Sequence, residues 1–554
     1  MTRDQPHDNQ LRLNDILIGE IDAKNEIIKQ AEIDGAVFHN GFFIPPNYDA
    51  AAIDSGATMF IVGFKGTGKT SLLRWMANRR TKDGNYSHFL LFKSELLEED
   101  RQAMSRGVWF EVLPIRKDLS GIEQDFKYAW SWILIERLFD AFLKDRNACI
   151  RDEQFTNCAQ VIGYDIGAGR SVLTRQYGSL MPRLDGGNVE IQFPAASAGG
   201  LAPRSTERDR ILVPFGDLVR AARAAISKIT YTGKKVFLFI DELEAFSTFK
   251  ENYDRDIRMI RDLLFAVYDL NVLFREKRIP VYIVASVRSE ILSIVNKYGE
   301  EVGRNVQDFS MKIDWSKGRR SPEHLLIKLI EQKIKGSEIH RWGYQKNFEP
   351  IKTYFPTKVG GMPVYAYLLD QSMYRPRDVV RRLGIVRRDT PNAWVFSDDA
   401  LRTSVGEYSR QMWQEAREEL VASYASDEVS GLEEAFVGFT RYFHLRQFED
   451  RLRETARRND SLRQLLDRHS PQQVLQDFFR LGVVGNHIRA GNANRTEIRT
   501  RWAFRGDTTL ALDRRMAFHQ SLWPNFSLLE AGMSDNVGSL RPRKPKKDHP
   551  KGAR

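Results

Sequence analysis

The residues best suited to chemistry lie in one octet, Gly63-Phe64-Lys65-Gly66-Thr67-Gly68-Lys69-Thr70, with the spacing G-x-x-x-x-G-K-[ST]. Glycines at Gly63, Gly66 and Gly68 let consecutive backbone N–H groups face a polyphosphate, and the helix that follows adds the positive end of its dipole. Lys69 would then reach the β and γ phosphates, with Thr67 and Ser71 flanking it. Thr70 would offer its hydroxyl to Mg2+. An ordinary Gly-rich strand-to-helix turn is the bland alternative, and the full motif with both flanks in place argues against it.

A second group completes a hydrolytic site. Lys234-Lys235-Val236-Phe237-Leu238-Phe239-Ile240 runs into Asp241-Glu242, a buried strand with two carboxylates at its C-terminal edge, where α/β sheets bind ligands. Asp241 is the expected Mg2+ holder, and Glu242 is placed to polarise an attacking water as general base, with Glu244 ranked below it. A third apolar run, Ile279 to Arg288, ends in a polar residue that would contact phosphate or water; Ser286 is the candidate and Arg288 the alternative. Arg375 and Arg377 flank Pro376 at a helix start and either face the phosphates or belong to a solvated basic helix.

The elements that must hold these groups read as a parallel α/β core. Met59–Val62 is the strand before the glycine-rich loop and Ser71–Met76 begins the helix after it. Phe89–Phe92 and 108–112 are further short strands. Residues 125–144 repeat apolar side chains at helical spacing, and 218–229 form a helix with Asp217 as N-cap. Phe38 to Pro46 leads into the first strand and packs on the core or, as in many phosphate-loop enzymes, on a nucleotide base. Residues 163–210, centred on Ala195-Ala196-Ser197-Ala198-Gly199-Gly200, read as a loop insertion with no assigned chemistry. An amphipathic helix at 321–336 opens a helical lid. The expected organisation is a disordered lead at 1–15, a P-loop NTPase core at 16–300, a lid at 301–400, a winged-helix-like domain at 401–532, and a disordered basic tail at 533–554.

Charge marks the last of these regions. The net charge is +11, and residues 441–554 hold 23 Lys or Arg against 12 Asp or Glu, so the rest of the chain is neutral. Localised positive charge points to an acidic partner, DNA or RNA first. Helices at 460–468 and 471–481 precede an alternating strand that puts Arg499, Arg501 and Arg505 on one face, which would meet phosphates. The competing reading is a wing that packs on the core as a regulatory lid. The composition is that of a soluble protein: no apolar run reaches membrane-span length, the polar start is not a signal peptide, and Cys149 and Cys158 make no disulfide framework. A cytoplasmic protein is expected.

The loop at 63–70, Asp241-Glu242, the Ser286 strand and the Arg-Pro-Arg helix come in the order of the AAA+/STAND division of P-loop ATPases. Ile18-Gly19-Glu20-Ile21-Asp22-Ala23, the F-I-V-G-x-K-G-T-G-K-T loop and Tyr374-Arg375-Pro376-Arg377-Asp378 resemble more closely a prokaryotic family associated with bacterial defence and mobile loci. That resemblance, over 16–390, implies ATP and Mg2+, ATP hydrolysis, and a switch or motor role. A protein partner from the same locus and a homo-oligomer are further expectations. The chain departs from typical AAA+ proteins in its insertion and in lacking an obvious arginine finger. Arg304 is the nearest candidate, which leaves ring assembly open. A signalling or scaffold switch with little turnover is the rival function. A small-molecule phosphotransferase ranks third.

Overall fold

A computed structural model describes residues 10–23, 25–26, 36–102, 104, 126–167, 170–171, 173, 181–182, 184–185, 188–192, 210–243, 250–296, 300–421, 423–490 and 497–530. The chain divides into two compact units, Met1–Arg402 and Thr403–Arg554. Each is an independent piece of architecture with its own sheet.

In the first unit the glycine-rich octet joins β1 (Phe60–Gly63) to α1 (Lys69–Lys82). Then follow β2 (Tyr86–Leu91), the single turn α2 (Phe92–Glu95), α3 (Lys127–Lys144), α4 (Phe215–Ile226) and β3 (Val236–Leu243). The unit continues through α5 (Lys250–Glu276), β4 (Val281–Arg288), α6 (Ser289–Val295), β5 (Ser310–Lys312), α7 (Leu325–Trp342) and α8 (Pro376–Asp389). The five strands are all parallel, in the order β5-β1-β4-β3-β2. Central parallel strands are covered on both faces, which is why β1 is buried throughout and β3 is buried everywhere except Glu242. This order sets β4 between β1 and β3, so the C-terminal ends of all three strands converge.

Several expectations shift in register. The sheet gains β5 beyond residue 300, in the stretch expected to begin the lid, because Ser-Met-Lys is too short and polar to read as a strand. The helix expected at 218–229 begins at Phe215 after Pro214, and Asp217 lies in its first turn, paired with Arg220, instead of capping it. The strand expected at 108–112 and the glycine-alanine stretch 195–200 fall outside the described residues. Around the latter, Leu184–Asp185, Asn188–Gln192 and Arg210–Pro214 form a small antiparallel sheet.

Two local solutions brace the core. Because β1 begins opposite Ala285, Ile283 lies beyond its end with backbone groups that need partners. Asn271, buried on α5, supplies both: it accepts from Ile283 N–H at 2.9 Å and donates to Ile283 C=O at 2.8 Å. On α7, a Cβ at Gly336 would stand 2.5 Å from Gly41 Cα, so only glycine lets the lead-in segment cross the helix that closely. Gln332 of α7 fixes the crossing through a 2.7 Å hydrogen bond to Asn40 C=O.

The second unit comprises α9 (Val405–Leu420), α10 (Ser426–Phe436), β6 (Tyr442–Phe443), α11 (Leu445–Ala456), α12 (Asp460–Arg468), α13 (Pro471–Arg480), β7 (Val484–Ala490), β8 (Glu497–Arg501) and β9 (Met516–Phe518). Its antiparallel sheet runs β6-β9-β7-β8. Phe436 is the hub of its core, with the rings of Phe448, Phe478, Phe518 and Phe526 all within about 6 Å. No helix among the described residues is long and apolar enough to cross a membrane.

Candidate functional site

A cavity of about 150 Å³ opens where β1, β3 and β4 end. Its floor is the loop Lys65 to Ser71, so Gly66, Thr67, Gly68, Lys69, Thr70 and Ser71 all line it; Gly63 lies just behind, at the end of β1. Gly66 and Gly68 take φ values of +81° and +87°, left-handed backbone that bends the amides around a centre. Two contacts lock the loop, one within it and one from a distant segment. Thr67 Oγ1 donates to Phe64 C=O at 2.8 Å, and buried Trp315 Nε1 donates to Thr67 C=O at 2.9 Å.

Lys69 opens α1 and is folded back over the loop, donating to Gly63 C=O at 2.8 Å and Phe64 C=O at 3.0 Å. Burial pulls its pKa down to about 8, against the opposing carboxylate of Glu290, while Arg288 lowers it further. A lysine so placed gains strongly from an incoming anion.

At the other wall, β3 delivers Asp241 and Glu242. Ser286 of β4 donates its hydroxyl to Asp241 Oδ1. The register explains the pairing: Ser286 stands opposite Ile61 of β1, between the loop strand and the carboxylate strand. Asp241 Oδ2 is buried and has no hydrogen-bond partner among the described residues. An orphaned carboxylate oxygen facing the glycine-rich loop fits a hard cation such as Mg2+, with Thr70 as the second protein oxygen in the same cavity.

Glu242 differs from its neighbours. The pairing of β3 with β4 slips between Ile240 and Leu243, and Glu242 takes a φ of 62°. Left-handed backbone is uncommon for a non-glycine residue and gathers at functional sites. The slip turns the side chain out of the strand alternation, where Oε2 accepts a 2.8 Å hydrogen bond from Ser94 of α2. Arg74 of α1 stacks 3.8 Å from the centre of the Phe89 ring, and burial lowers its pKa against the opposing carboxylates of Asp241, Glu242 and Glu95.

Arg377 and Arg375 both pack against Gly66 but differ in what they hold. Arg377 lines the cavity; its N–H reaches Gly66 C=O at 3.3 Å and its side chain packs over Gly66. Arg375 makes a two-pronged bond to buried Asp378, at 2.9 and 2.8 Å, which shapes the start of α8. Arg288, the alternative to Ser286, also lines the cavity, whereas Glu244 lies outside the described residues. Sequence reasoning missed Ser94, Arg74, Trp315 and Glu290, whose Oε1 accepts from Lys65 N–H at 3.1 Å. None sits in a motif; Glu290, two residues beyond Arg288, carried the nearest signal.

Away from the glycine-rich loop the cavity turns apolar and aromatic, with Phe38, Phe42, Phe43 and Leu329 on its walls. Phe42 also stacks on Trp75 at 5.2 Å, so the lead-in segment serves the core and the cavity together.

In the second unit, three helices, α11 to α13, lie between β6 and the β7–β8 hairpin. The arginine strand ends at Arg501, and Ala503–Arg505 is a 3-10 turn, so Arg505 leaves the expected alternation. Asp507 causes the break: it accepts from Arg501 Nε at 2.6 Å and from Trp502 N–H at 3.1 Å, around Gly506 at φ 93°. Trp502 and Phe504 are buried and stacked at 5.5 Å. Arg501 is half-exposed. The side chain of Arg499 and the tail from 533 lie outside the described residues.

No family model and no curated protein matches the chain. Among solved structures, the Aeropyrum pernix Orc1 protein in complex with DNA is similar at a TM-score of 0.33 and 12% identity, over 91% of each chain. Similarity of that degree leaves the fold to be argued from the strands themselves.

Proposed function

We propose that the first unit binds and hydrolyses ATP, and that the cycle changes its conformation while the second unit engages nucleic acid. The observation that carries this reading is the convergence of Lys69, Thr70, Asp241, Glu242 and Ser286 on one cavity floored by glycine-rich backbone. Loop amides and Lys69 would hold the β and γ phosphates. Thr70 and Asp241 would hold Mg2+, which when bound draws charge from the phosphate oxygens. Glu242 would take a proton from the water attacking the γ-phosphorus, and Ser286 would keep Asp241 in place. Arg377, with its backbone on Gly66, would tie α8 to whatever occupies the loop. The strand order and the site residues together favour an AAA+-type ATPase.

Nucleic acid is the partner favoured by the localised excess of arginine and lysine after residue 441 and by three helices followed by a hairpin, the outline of a winged helix. DNA transactions, host defence among them, are the setting this suggests. The test is phosphate release by the full chain with and without DNA, at low and high salt. Turnover that rises with DNA and loses that rise at high salt supports the reading, and turnover indifferent to DNA removes the nucleic-acid half of it.

A further inference from the structure

The apolar end of the cavity holds an ion pair that phosphate chemistry does not use. Glu26, only 5% exposed, accepts a 2.6 Å hydrogen bond from Lys333 Nζ, and both residues line the cavity with Phe38, Phe42 and Leu329. Lys333 comes from α7, the helix held against the lead-in segment by Gly336 and Gln332. The pair also lies against the backbone of Gly19, where φ is +109° and a Cβ would stand 3.0 Å from Glu26 Oε2 and 3.1 Å from Lys333 Nζ. Burying opposite charges is unfavourable unless further hydrogen bonds are made to them. In a mostly apolar cavity, a few placed polar groups are what orient a ligand.

We propose that Glu26 and Lys333 read the six-position of a purine base and select adenine over 6-oxopurines. This rests on the cavity being a nucleotide site. With the phosphates fixed at the Lys65–Ser71 end, the base is directed to the aromatic end. A carboxylate has about four lone-pair sites and an ammonium three donors, so a base can add to the contacts each group already makes. Adenine sets an amino donor beside a ring-nitrogen acceptor, which complements a carboxylate beside an ammonium. In the pose adenine takes, guanine or hypoxanthine would bring O6, an acceptor, against the Glu26 carboxylate, whether N7 or N1–H lies beside it. A buried charge left facing a like acceptor discriminates strongly.

The experiment is competition binding to the full chain with Mg2+ and ATP, ITP or N6,N6-dimethyl-ATP, for the wild type, Glu26→Gln and Lys333→Met. ITP isolates the six-position, since it lacks the amino group at position two. The wild type should prefer ATP over ITP by at least about ten-fold. Dimethyl-ATP should bind about ten-fold more weakly than ATP, a comparison that needs no variant to fold. Glu26→Gln, whose amide can donate as well as accept, should bring ITP to within about three-fold of ATP while still binding triphosphate. Equal wild-type affinity for ATP and ITP overturns the proposal, as does a folded Glu26→Gln protein that keeps the full preference. A wild type that binds none of the three overturns the nucleotide reading itself, and this proposal with it.

Discussion

Ser94 donates a 2.8 Å hydrogen bond to Glu242, joining the turn after β2 to the carboxylate at the end of β3. Glu242 reaches that bond from a left-handed backbone that breaks the strand register. The bond occupies one carboxylate oxygen and aims it at the donor, away from a water it would otherwise accept from. Ser94→Ala should therefore raise basal ATP turnover by about three-fold, a modest factor because the bond is solvent-exposed. Steady-state phosphate release measures it, and a fall in turnover would mean that Ser94 supports the base instead of restraining it.

Lys69 gives the site a pH dependence. With its pKa pulled down to about 8 by burial, Lys69 in the free protein is charged below that pH and neutral above it. Bound phosphates favour the charged form and raise the pKa again, so above about pH 8 binding must take up a proton. Affinity for ATP should be flat between about pH 6.5 and 7.5 and fall toward about ten-fold per pH unit above 8. Titration calorimetry at about pH 9, in buffers of different ionisation heat, should report close to one proton taken up. Affinity that stays flat through pH 9.5 would contradict the burial of this amine.

The Ser286 hydroxyl on Asp241 predicts a split between two substitutions. Asp241→Asn removes the buried oxygen available to Mg2+ and should lower turnover by about a hundred-fold or more. Ser286→Ala leaves that oxygen and removes only its orienting partner, so turnover should fall by about ten-fold while half-saturation by Mg2+ shifts upward. A Mg2+ titration of activity separates the two effects. An unchanged Mg2+ requirement in Ser286→Ala would confine Ser286 to the phosphate or the water.

In the second unit, Arg501 and Arg505 flank the turn built on Asp507. If the arginines at 499, 501 and 505 meet phosphates, replacing each with alanine should flatten the dependence of log affinity on log salt by about one per contact. DNA binding at three salt concentrations checks this, and slopes equal to wild type in all three variants would move the interface elsewhere.

The strand, glycine turn and helix around Lys69 were legible because each is a local pattern within one short segment. Asp241 was legible because an apolar strand ending in acid is a local pattern. The Ser94, Arg74, Glu290 and Glu26–Lys333 contributions were not, since each depends on chain segments far apart in sequence: Ser94 meets Glu242 across 148 residues and Lys333 meets Glu26 across 307. Alternation predicted one arginine face through Arg505, but the Asp507 turn broke it, because a side chain capturing backbone N–H overrides strand periodicity. Arg375 and Arg377 looked equivalent in sequence. The fork from Arg375 to Asp378 and the Arg377 N–H on Gly66 C=O distinguish them.

The proposed hydrolysis turns on Glu242. Its most direct test compares Glu242→Gln with wild type by ATP affinity and single-turnover phosphate release on the same preparation. ATP should bind within about three-fold of wild-type affinity, and release should slow by about a hundred-fold or more. A Glu242→Gln protein that binds ATP and releases phosphate at the wild-type rate would contradict it.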